Sequence, residues 1–316
     1  MTGAAGFIGS HLAHALVRAG TTVIGVDRRD PATDRTAAAN LAALQELPGY
    51  IHLTADLIHC AIEPLLVDAE TVFHLAGIPG VRPSWGSRFG EYLASNVLAT
   101  HRVMETCTRM GVPRVVVASS SSVYGPTNGG ASIETDRPQP ASPYAVTKLA
   151  EEQLCLAYAD RAHCPTSVVA LRYFTVYGPR QRSDMFTHRA LQAALTGQPL
   201  GLYGDGHQRR DFTYIDDAVA ATIAASTVPT AHVAINIGGG SSASLLEVVN
   251  VAKRLAGRDI QLHQEGPRNG DVLTTRANPH RAHELLGWQA QVDLHSGMHA
   301  HMQALAAELP EYSRAA

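Results

Sequence analysis

Apolar residues in the first two thirds of the chain fall in short runs separated by stretches with helical spacing. Runs at 22–26 (Thr-Val-Ile-Gly-Val), 51–54, 71–75, 114–118 (Arg-Val-Val-Val-Ala) and 167–171 (Ser-Val-Val-Ala-Leu) read as strands, the first of them buried. Residues 10–19, 91–110 and 144–162 read as helices. The first ends at Gly20, and Ser142-Pro143 supplies the third with an N-cap and a first-turn proline. Strands alternating with helices predict an α/β fold, a doubly wound parallel sheet with helices on both faces. From Thr175 the pattern loosens, with turns at Gly178-Pro179 and Gly204-Asp205-Gly206. Residues 212–215, the helical stretch 218–225 and the strand 233–237 read as a return to the first lobe. Residues 310–316 read as a frayed tail.

The chain opens with a glycine ladder, Gly3, Gly6 and Gly9 in the form G-x-x-G-x-x-G, with Phe7 and Ile8 between the last two. Such glycines let the backbone approach a pyrophosphate and let a helix start close against a strand. A short apolar strand normally feeds a ladder of this kind, and only Met1 and Thr2 precede it here. The expectation is that the natural protein starts several residues upstream, a GTG codon having been read as the initiator. The strand at 22–26 runs into Asp27, whose carboxylate at that position accepts both ribose hydroxyls of adenosine. That favours NAD over NADP, although Arg28 and Arg29 follow and an arginine can hold a 2′-phosphate. Asp56 and Leu57 after the next strand are candidates for the adenine, and the small residues after Leu75, starting with Ala76, let the cofactor lie against the strand ends. The division expected is 1–174 plus 212–238 as the dinucleotide-binding domain, and 175–211 plus 239–316 as a smaller α/β C-terminal substrate lobe.

Tyr144 and Lys148 lie four apart, hence on one face of a helix. An ammonium beside a phenol stabilises the phenolate, so the tyrosine can take a proton from an alcohol near neutral pH. With the glycine ladder, the pair points to dinucleotide redox chemistry at a sugar-like hydroxyl.

Bulk properties narrow the picture further. The 316 residues are 45% hydrophobic, enough for a large core and two lobes, and the net charge of -3 offers nothing to nucleic acid or to an anionic membrane. No apolar run is long enough to span a bilayer. Cys60, Cys107, Cys155 and Cys164 show no C-x-x-C or metal-ligand spacing and read as thiols of a reducing cytoplasm. The 16 histidines include no H-E-x-x-H; His11, His14, His74, His101 and His188 read as structural or surface groups. No metal site is expected.

Several segments together resemble the extended short-chain dehydrogenase/reductase family, the NAD-dependent nucleotide-sugar epimerases and dehydratases. They are Thr2-Gly3 to Gly9, His74-Leu75-Ala76, Ser119 to Gly125, Tyr144 with Lys148, Leu171-Arg172-Tyr173-Phe174, Arg209-Arg210-Asp211 and Asp216-Asp217. The resemblance implies a Rossmann fold, bound NAD, a homodimer pairing through the helices at 91–110 and 144–162, and Ser120 assisting Tyr144. The 4,6-dehydratases of the family carry Thr-Asp-Glu before V-Y-G and the glucuronate decarboxylases carry Glu there. Ser120-Ser121-Ser122 stand in this chain, which leaves an epimerase or a simple oxidoreductase.

Within the family the chain is most similar to the UDP-glucuronate 4-epimerase group. The stretch from Phe174 to Met185 is similar to that group's F-T-V-Y-G-P-x-x-R-P-D-M, with Ser183 in place of proline, and Gly80-Val81-Arg82 with Ser84 resembles its substrate loop. UDP-glucose epimerases carry Asn-Pro where Thr175-Val176 stand. The resemblance implies that Arg182 holds a sugar carboxylate, with Arg180 the weaker candidate. It also implies that Arg210 and Arg268 meet the nucleotide, and that Arg82, Ser121, Ser122 and Thr175 line the sugar site. The activity implied is conversion of UDP-glucuronate to UDP-galacturonate through a transient 4-keto sugar. A neutral UDP-hexose epimerase, a keto-sugar reductase that releases its cofactor, and a catalytically silent dinucleotide sensor are the alternatives.

Overall fold

The computed structural model describes residues 1–127, 129–229, 232–240, 242–266 and 270–309; the tail expected at 310–316 lies outside them. Its strands are β1 (Val23–Asp27), β2 (Tyr50–Thr54), β3 (Thr71–His74), β4 (Arg114–Ser120), β5 (Ser167–Tyr173), β6 (Thr175–Tyr177), β7 (Leu200–Tyr203), β8 (Arg209–Tyr214), β9 (His232–Ile237), β10 (Ser242–Ser244) and β11 (Leu262–Glu265). Four of them form a parallel sheet in the order β3-β4-β5-β9, and β1 pairs in parallel with β2. Thr2 joins the two sets. It bridges Val26 of β1 on one side and His74 of β3 on the other, both in parallel, and the Met1 amine donates to Ile24 O at 2.8 Å. The strand order is therefore β2-β1-(Thr2)-β3-β4-β5-β9, with its reversal at the glycine ladder.

The inner strands β1, β3, β4 and β5 are buried on both faces, as near-continuous apolar strands require, whereas Ile51 and Leu53 of the edge strand β2 are exposed. Side chains alternate across the sheet. Val116 of β4 with Val169 and Leu171 of β5 pack into one cluster, whereas Val115, Val117, Val168 and Ala170 pack into the other. The first cluster is covered by α1 (Phe7–Arg18), α2 (Arg35–Gln45) and α7 (Ile215–Ala224). The second is covered by α4 (Ala99–Met110) and α5 (Pro143–Ala159). Ser142 caps α5 by accepting from Ala145 N at 3.1 Å, with Pro143 in the first turn. The helix expected at 91–110 begins earlier, as the short α3 (Phe89–Tyr92), and passes through a π-helical stretch, Leu93–Leu98, before α4. Nothing in the periodicity announces that stretch, because it arises from packing against α5 and the loop after β3.

The remainder builds a smaller α/β part. β8 pairs with β6 in parallel and with β10 antiparallel, and β7 pairs with β11. α6 (Phe186–Thr196), α8 (Leu245–Ala256) and α10 (Leu294–Glu308) pack together beside these strands, and α9 (His280–Leu286) packs on β9. Residues 212–214, read from sequence as returning to the first lobe, continue β8 from Arg209 and stay in the small sheet. Residues 215–224 and 232–237 do return, as α7 and β9.

His74 sits where the two sets of strands meet, and its neighbours define its proton. Thr100 Oγ1 donates to Asn96 O at 2.7 Å, so it accepts the Nε2–H of His74 at 2.9 Å. Nδ1 then accepts from Thr2 Oγ1 at 2.8 Å, and Thr2 Oγ1 accepts from Ala76 N at 3.2 Å. The imidazole is neutral, and burial, reinforced by the Lys148 charge, pushes it down to about 3. Burial likewise takes His301 down to about 3. Because the folded values lie below the unfolded one, this stability is complete above about pH 6.5 and is lost as pH falls toward the folded values, each group contributing about 1.4 kcal/mol per pH unit. Thermal melts between pH 8 and 4 should therefore show Tm falling steadily below about pH 6.5. Glu151 and Asp211, lifted by burial to about 7 and about 6, act in the opposite sense, so the deciding reading is imidazole NMR: a His74 or His301 ring that is protonated at pH 5 would contradict buried neutral imidazoles.

Candidate functional site

One cleft of about 1310 Å³ opens along the strand ends, between the parallel sheet and the smaller part. It exceeds the several hundred Å³ usual for a single small ligand and has room for a dinucleotide with a second nucleotide-like molecule. Gly3, Gly6, Phe7, Ile8, Gly9, Asp27, Asp56, Leu57, Leu75 and Ala76 line one end. Ser120, Ser121, Ser122, Tyr144, Lys148, Thr175, Arg180, Arg182 and Arg210 also line it. Arg82 does not line it, and Arg268 lies outside the described residues.

The glycine ladder is a backbone cradle. A Cβ on Gly9 would stand 2.0 Å from Gly3 O, and one on Gly3, whose φ is +70°, would stand 2.8 Å from Leu75 and Ala76 backbone. Gly6 is the N-cap of α1 and offers no side chain, so the first-turn N–H groups of a twelve-residue helix face the cleft without a side-chain cap. These features fit a pyrophosphate. Asp27 is held as a carboxylate acceptor by Ala5 N and Arg29 N, each at 3.0 Å. The arginines that speak for a 2′-phosphate are both engaged. Arg29 lies on Asp27 with Nε 3.3 Å from Oδ1, and Arg28 donates to Ser95 Oγ at 3.2 Å. The residues present fit NAD.

Tyr144 stands at the start of α5, its ring edge-on to that of Tyr92 with centroids 6.3 Å apart. Tyr92 is fully buried and donates toward Pro79 O and Gly80 O, both at 3.1 Å. One turn on, Lys148 is buried and its Nζ donates to Glu151 Oε2 at 2.5 Å. Burial pulls the ammonium down, but the Glu151 carboxylate and Tyr144 outweigh it and raise Lys148 above its ordinary value. Burial lifts Glu151 itself to about 7, against the pull of Lys148. Asn96, in the π-helical stretch, accepts from Ile78 N at 2.7 Å and donates to Ile78 O and to Thr147 Oγ1. It satisfies backbone groups and staples the loop after β3 to α5.

Ser120 ends β4, and its Oγ accepts from both Ser122 N (3.2 Å) and Ser122 Oγ (2.9 Å). A hydroxyl has two acceptor positions and one proton, so the Ser120 proton is left to donate. Below the serines, Glu152 forms a bidentate pair with Arg172, at 2.6 and 2.9 Å, and accepts from Ser119 Oγ at 2.6 Å. Arg172 also donates to Tyr124 OH, which donates to Asn236 Oδ1 at 2.6 Å, so α5, β4, β5 and β9 are tied beneath the cleft.

The arginines divide by what they touch. Arg180, in the left-handed region at φ 63°, donates to Ser10 Oγ, Asn40 O and His11 Nδ1. It ties the segment after β6 to α1 and α2, and its guanidinium is spent within the fold. Arg82 does not itself line the cleft, but it reaches Asp271, which does, at 3.0 Å and stacks on Tyr203 at 4.0 Å. Arg182 lines the cleft, and its charge reaches Tyr92 beside Tyr144. Its fork meets Asp184 at 2.9 and 3.0 Å. Glu151 and Tyr92 were not singled out from sequence. Glu151 had a signal, since Tyr144, Lys148 and Glu151 repeat at i, i+4 and i+7 on one helix face; Tyr92 had none.

Residues 1–238 match the family described as the NAD dependent epimerase/dehydratase family. The chain belongs to that family. Among curated relatives of this epimerase/dehydratase, a Bacillus subtilis protein named uncharacterized UDP-glucose epimerase YtcB is 40% identical, covering 94% of each chain. Among solved structures, MoeE5 in complex with UDP-glucuronic acid and NAD is 45% identical, with a TM-score of 0.90 and 98% of each chain covered. The UDP-glucuronic acid 4-epimerase of Bacillus cereus, in complex with UDP-glucuronic acid and NAD, is 38% identical, with a TM-score of 0.92 and 98% of each chain covered. The Rossmann fold expected from the motifs is that of these structures, and NAD is the family's cofactor.

The cradle makes a direct test. Gly9→Ala should force Gly3 O aside and reduce NAD retained on the purified protein to about a tenth or less, with far-UV circular dichroism unchanged. Full NAD occupancy in this variant would show that the ladder does not hold the diphosphate.

Proposed function

We propose that this chain interconverts UDP-glucuronate and UDP-galacturonate by NAD-dependent epimerisation at C4, through a transient 4-keto sugar. The observation that carries the reading is one cleft holding both the Tyr144–Lys148 pair and the Arg182 fork. Two solved relatives were captured with UDP-glucuronic acid and NAD, which supports both the sugar and the cofactor.

Bound NAD supplies the acceptor and donor of the hydride exchanged at C4. Tyr144 takes the O4 proton as the alcohol becomes a ketone and returns it when the ketone is reduced. Lys148 keeps a positive charge beside the phenolate. Ser120 donates its remaining proton to the sugar oxygen. Gly3 to Gly9 hold the pyrophosphate of the cofactor and Asp27 its ribose, with Asp56 and Leu57 at the adenine and Leu75 and Ala76 along the nicotinamide half. Thr175, Ser121 and Ser122 border the sugar, and Arg210 meets the nucleotide of the substrate.

The 4-keto form of glucuronate is a β-keto acid and loses CO2 when the C5–carboxylate bond aligns with the carbonyl π system. Arg182, gripping the carboxylate through two parallel hydrogen bonds, holds it out of that alignment. Asp184 occupies the same fork in the structure, so the substrate carboxylate has to displace it. A neutral UDP-hexose is the second reading, favoured by that Arg182–Asp184 pair and by the name of the Bacillus subtilis relative.

We assign 1–174 plus 215–238 to the cofactor domain and 175–214 plus 239–316 to the substrate domain; this moves 212–214 from the division expected from sequence, because they belong to β8. The homodimer is inferred through α4 and α5. Leu93, Leu98, Met110 and Val146 are exposed on this helical face, an apolar surface that a second copy would cover. The four cysteines are free thiols and no described helix is long and apolar enough to cross a membrane, which fits the cytoplasm we assign.

Purified protein should interconvert the two UDP-uronic acids, read by NMR, without net formation of NADH. Tyr144→Phe should lower kcat by a factor of about 100 to 10,000. Arg182→Ala should lower kcat/KM for UDP-glucuronate by about 10- to 100-fold while sparing UDP-glucose. Equal turnover of UDP-glucuronate by wild type and Arg182→Ala would overturn the uronate reading. In sedimentation, the wild type should run as a dimer and Leu98→Glu as a monomer; a monomeric wild type refutes the pairing.

A further inference from the structure

The mechanism above uses Tyr144 and Lys148 but leaves a second buried acid on the same helix without a task. Glu151 is fully buried, its Oε2 lies 2.5 Å from Lys148 Nζ, and its Oε1 has no hydrogen-bond partner. An acid in such a place is costly unless it answers a charge. The groups around Lys148 leave few other answers. On α5, Tyr144 faces the cleft, Glu152 is consumed by Arg172, and burial holds the Cys155 thiol well above its ordinary range, so it stays neutral. On β3, His74 is neutral, as its two hydroxyl partners require. Cys107 on α4 is held up to about 12 by burial and is neutral too. The Met1 amine, if charged, has the wrong sign. Among the described residues, Glu151 is the only carboxylate in contact with Lys148 that is not already paired elsewhere.

We propose that Glu151 is a positioning residue for the epimerisation: it anchors the Lys148 ammonium beneath Tyr144 and keeps it protonated under a cleft that would otherwise strip its proton. This deepens the reading of the site as an epimerase and rests on it for its consequence, but not for its test. Lys148 must remain an ammonium to stabilise the phenolate that takes the O4 proton and that forms again when the ketone is reduced. Burial without a counter-charge disfavours the charged form. The i, i+3 spacing lets one helix supply both partners, so the anchor moves with the catalytic pair.

Lys148 and Lys253 are the only lysines in the sequence, which makes the test direct. Lysine labelled with carbon-13 at the ε position gives two side-chain signals in the NAD-loaded protein, and both are followed through a pH titration. The wild-type Lys148 signal should titrate above a free lysine side chain. In Glu151→Gln it should titrate lower by about one pH unit or more, with Lys253 unmoved. The alkaline limb of the epimerase pH profile should move down by the same amount. If Lys148 titrates alike in both proteins, the anchor role is wrong while the epimerase reading stands. If the lysine signal shifts but no UDP-sugar is epimerised, the anchor role stands and the functional reading falls. Should Glu151→Gln not fold, the wild-type titration decides: a Lys148 that loses its proton below a free lysine refutes the proposal.

Discussion

A lysine ammonium buried at the floor of a reaction cleft has to be held in place and kept charged, and the structure around it is organised by that need. Lys148 lies on α5 one turn after Tyr144 and one turn before Glu151, so one helix presents base, charge and counter-charge on one stripe. α5 is positioned from both sides. Ser142 and Pro143 define where the helix begins, and Asn96 ties Thr147 to the loop after β3. A shift of α5 by one residue would turn this stripe about 100° and empty the site.

The parallel sheet supplies the frame. β4 ends in the serine run and β5 in Tyr173, and both strands deliver their C-terminal ends to one edge where the helices leave room. The Glu152–Arg172 pair is buried and bidentate, with Tyr124 and Asn236 continuing the network to β9. It uses the acid next to Glu151 for a different purpose. One carboxylate fastens strands to α5, and its neighbour faces the ammonium. Adjacent residues of a helix point about 100° apart, which is why the two acids do not compete.

Much of this was legible in the sequence. The glycine ladder, Asp27 at a strand end and the Tyr144/Lys148 spacing carry local geometry that depends on few distant contacts. Four of the five early strands show as β-rich apolar runs because both their faces are buried, while the fifth, β2, is an exposed edge strand. Other features were not legible. Arg82, Arg180 and Arg182 look alike as arginines near turns. Arg82 and Arg180 separate only when Asp271 with Tyr203, and Ser10 with Asn40 and His11, come within reach from elsewhere in the chain, whereas Arg182 meets Asp184 two residues away. Residues 212–214 read as a return to the first lobe, but β8 pairs with β6 and β10, partners that periodicity cannot name.

The sequence alone determined the succession of strands in the parallel sheet, the backbone cradle and the catalytic spacing, because these follow from side-chain period and from where only glycine fits. Tertiary structure decided which charges are answered and which are free. The neutral state of His74, the open proton of Ser120 and the pairing of Glu151 with a buried ammonium depend on groups brought together by folding, and burial in a low-dielectric interior sets how strongly each acts.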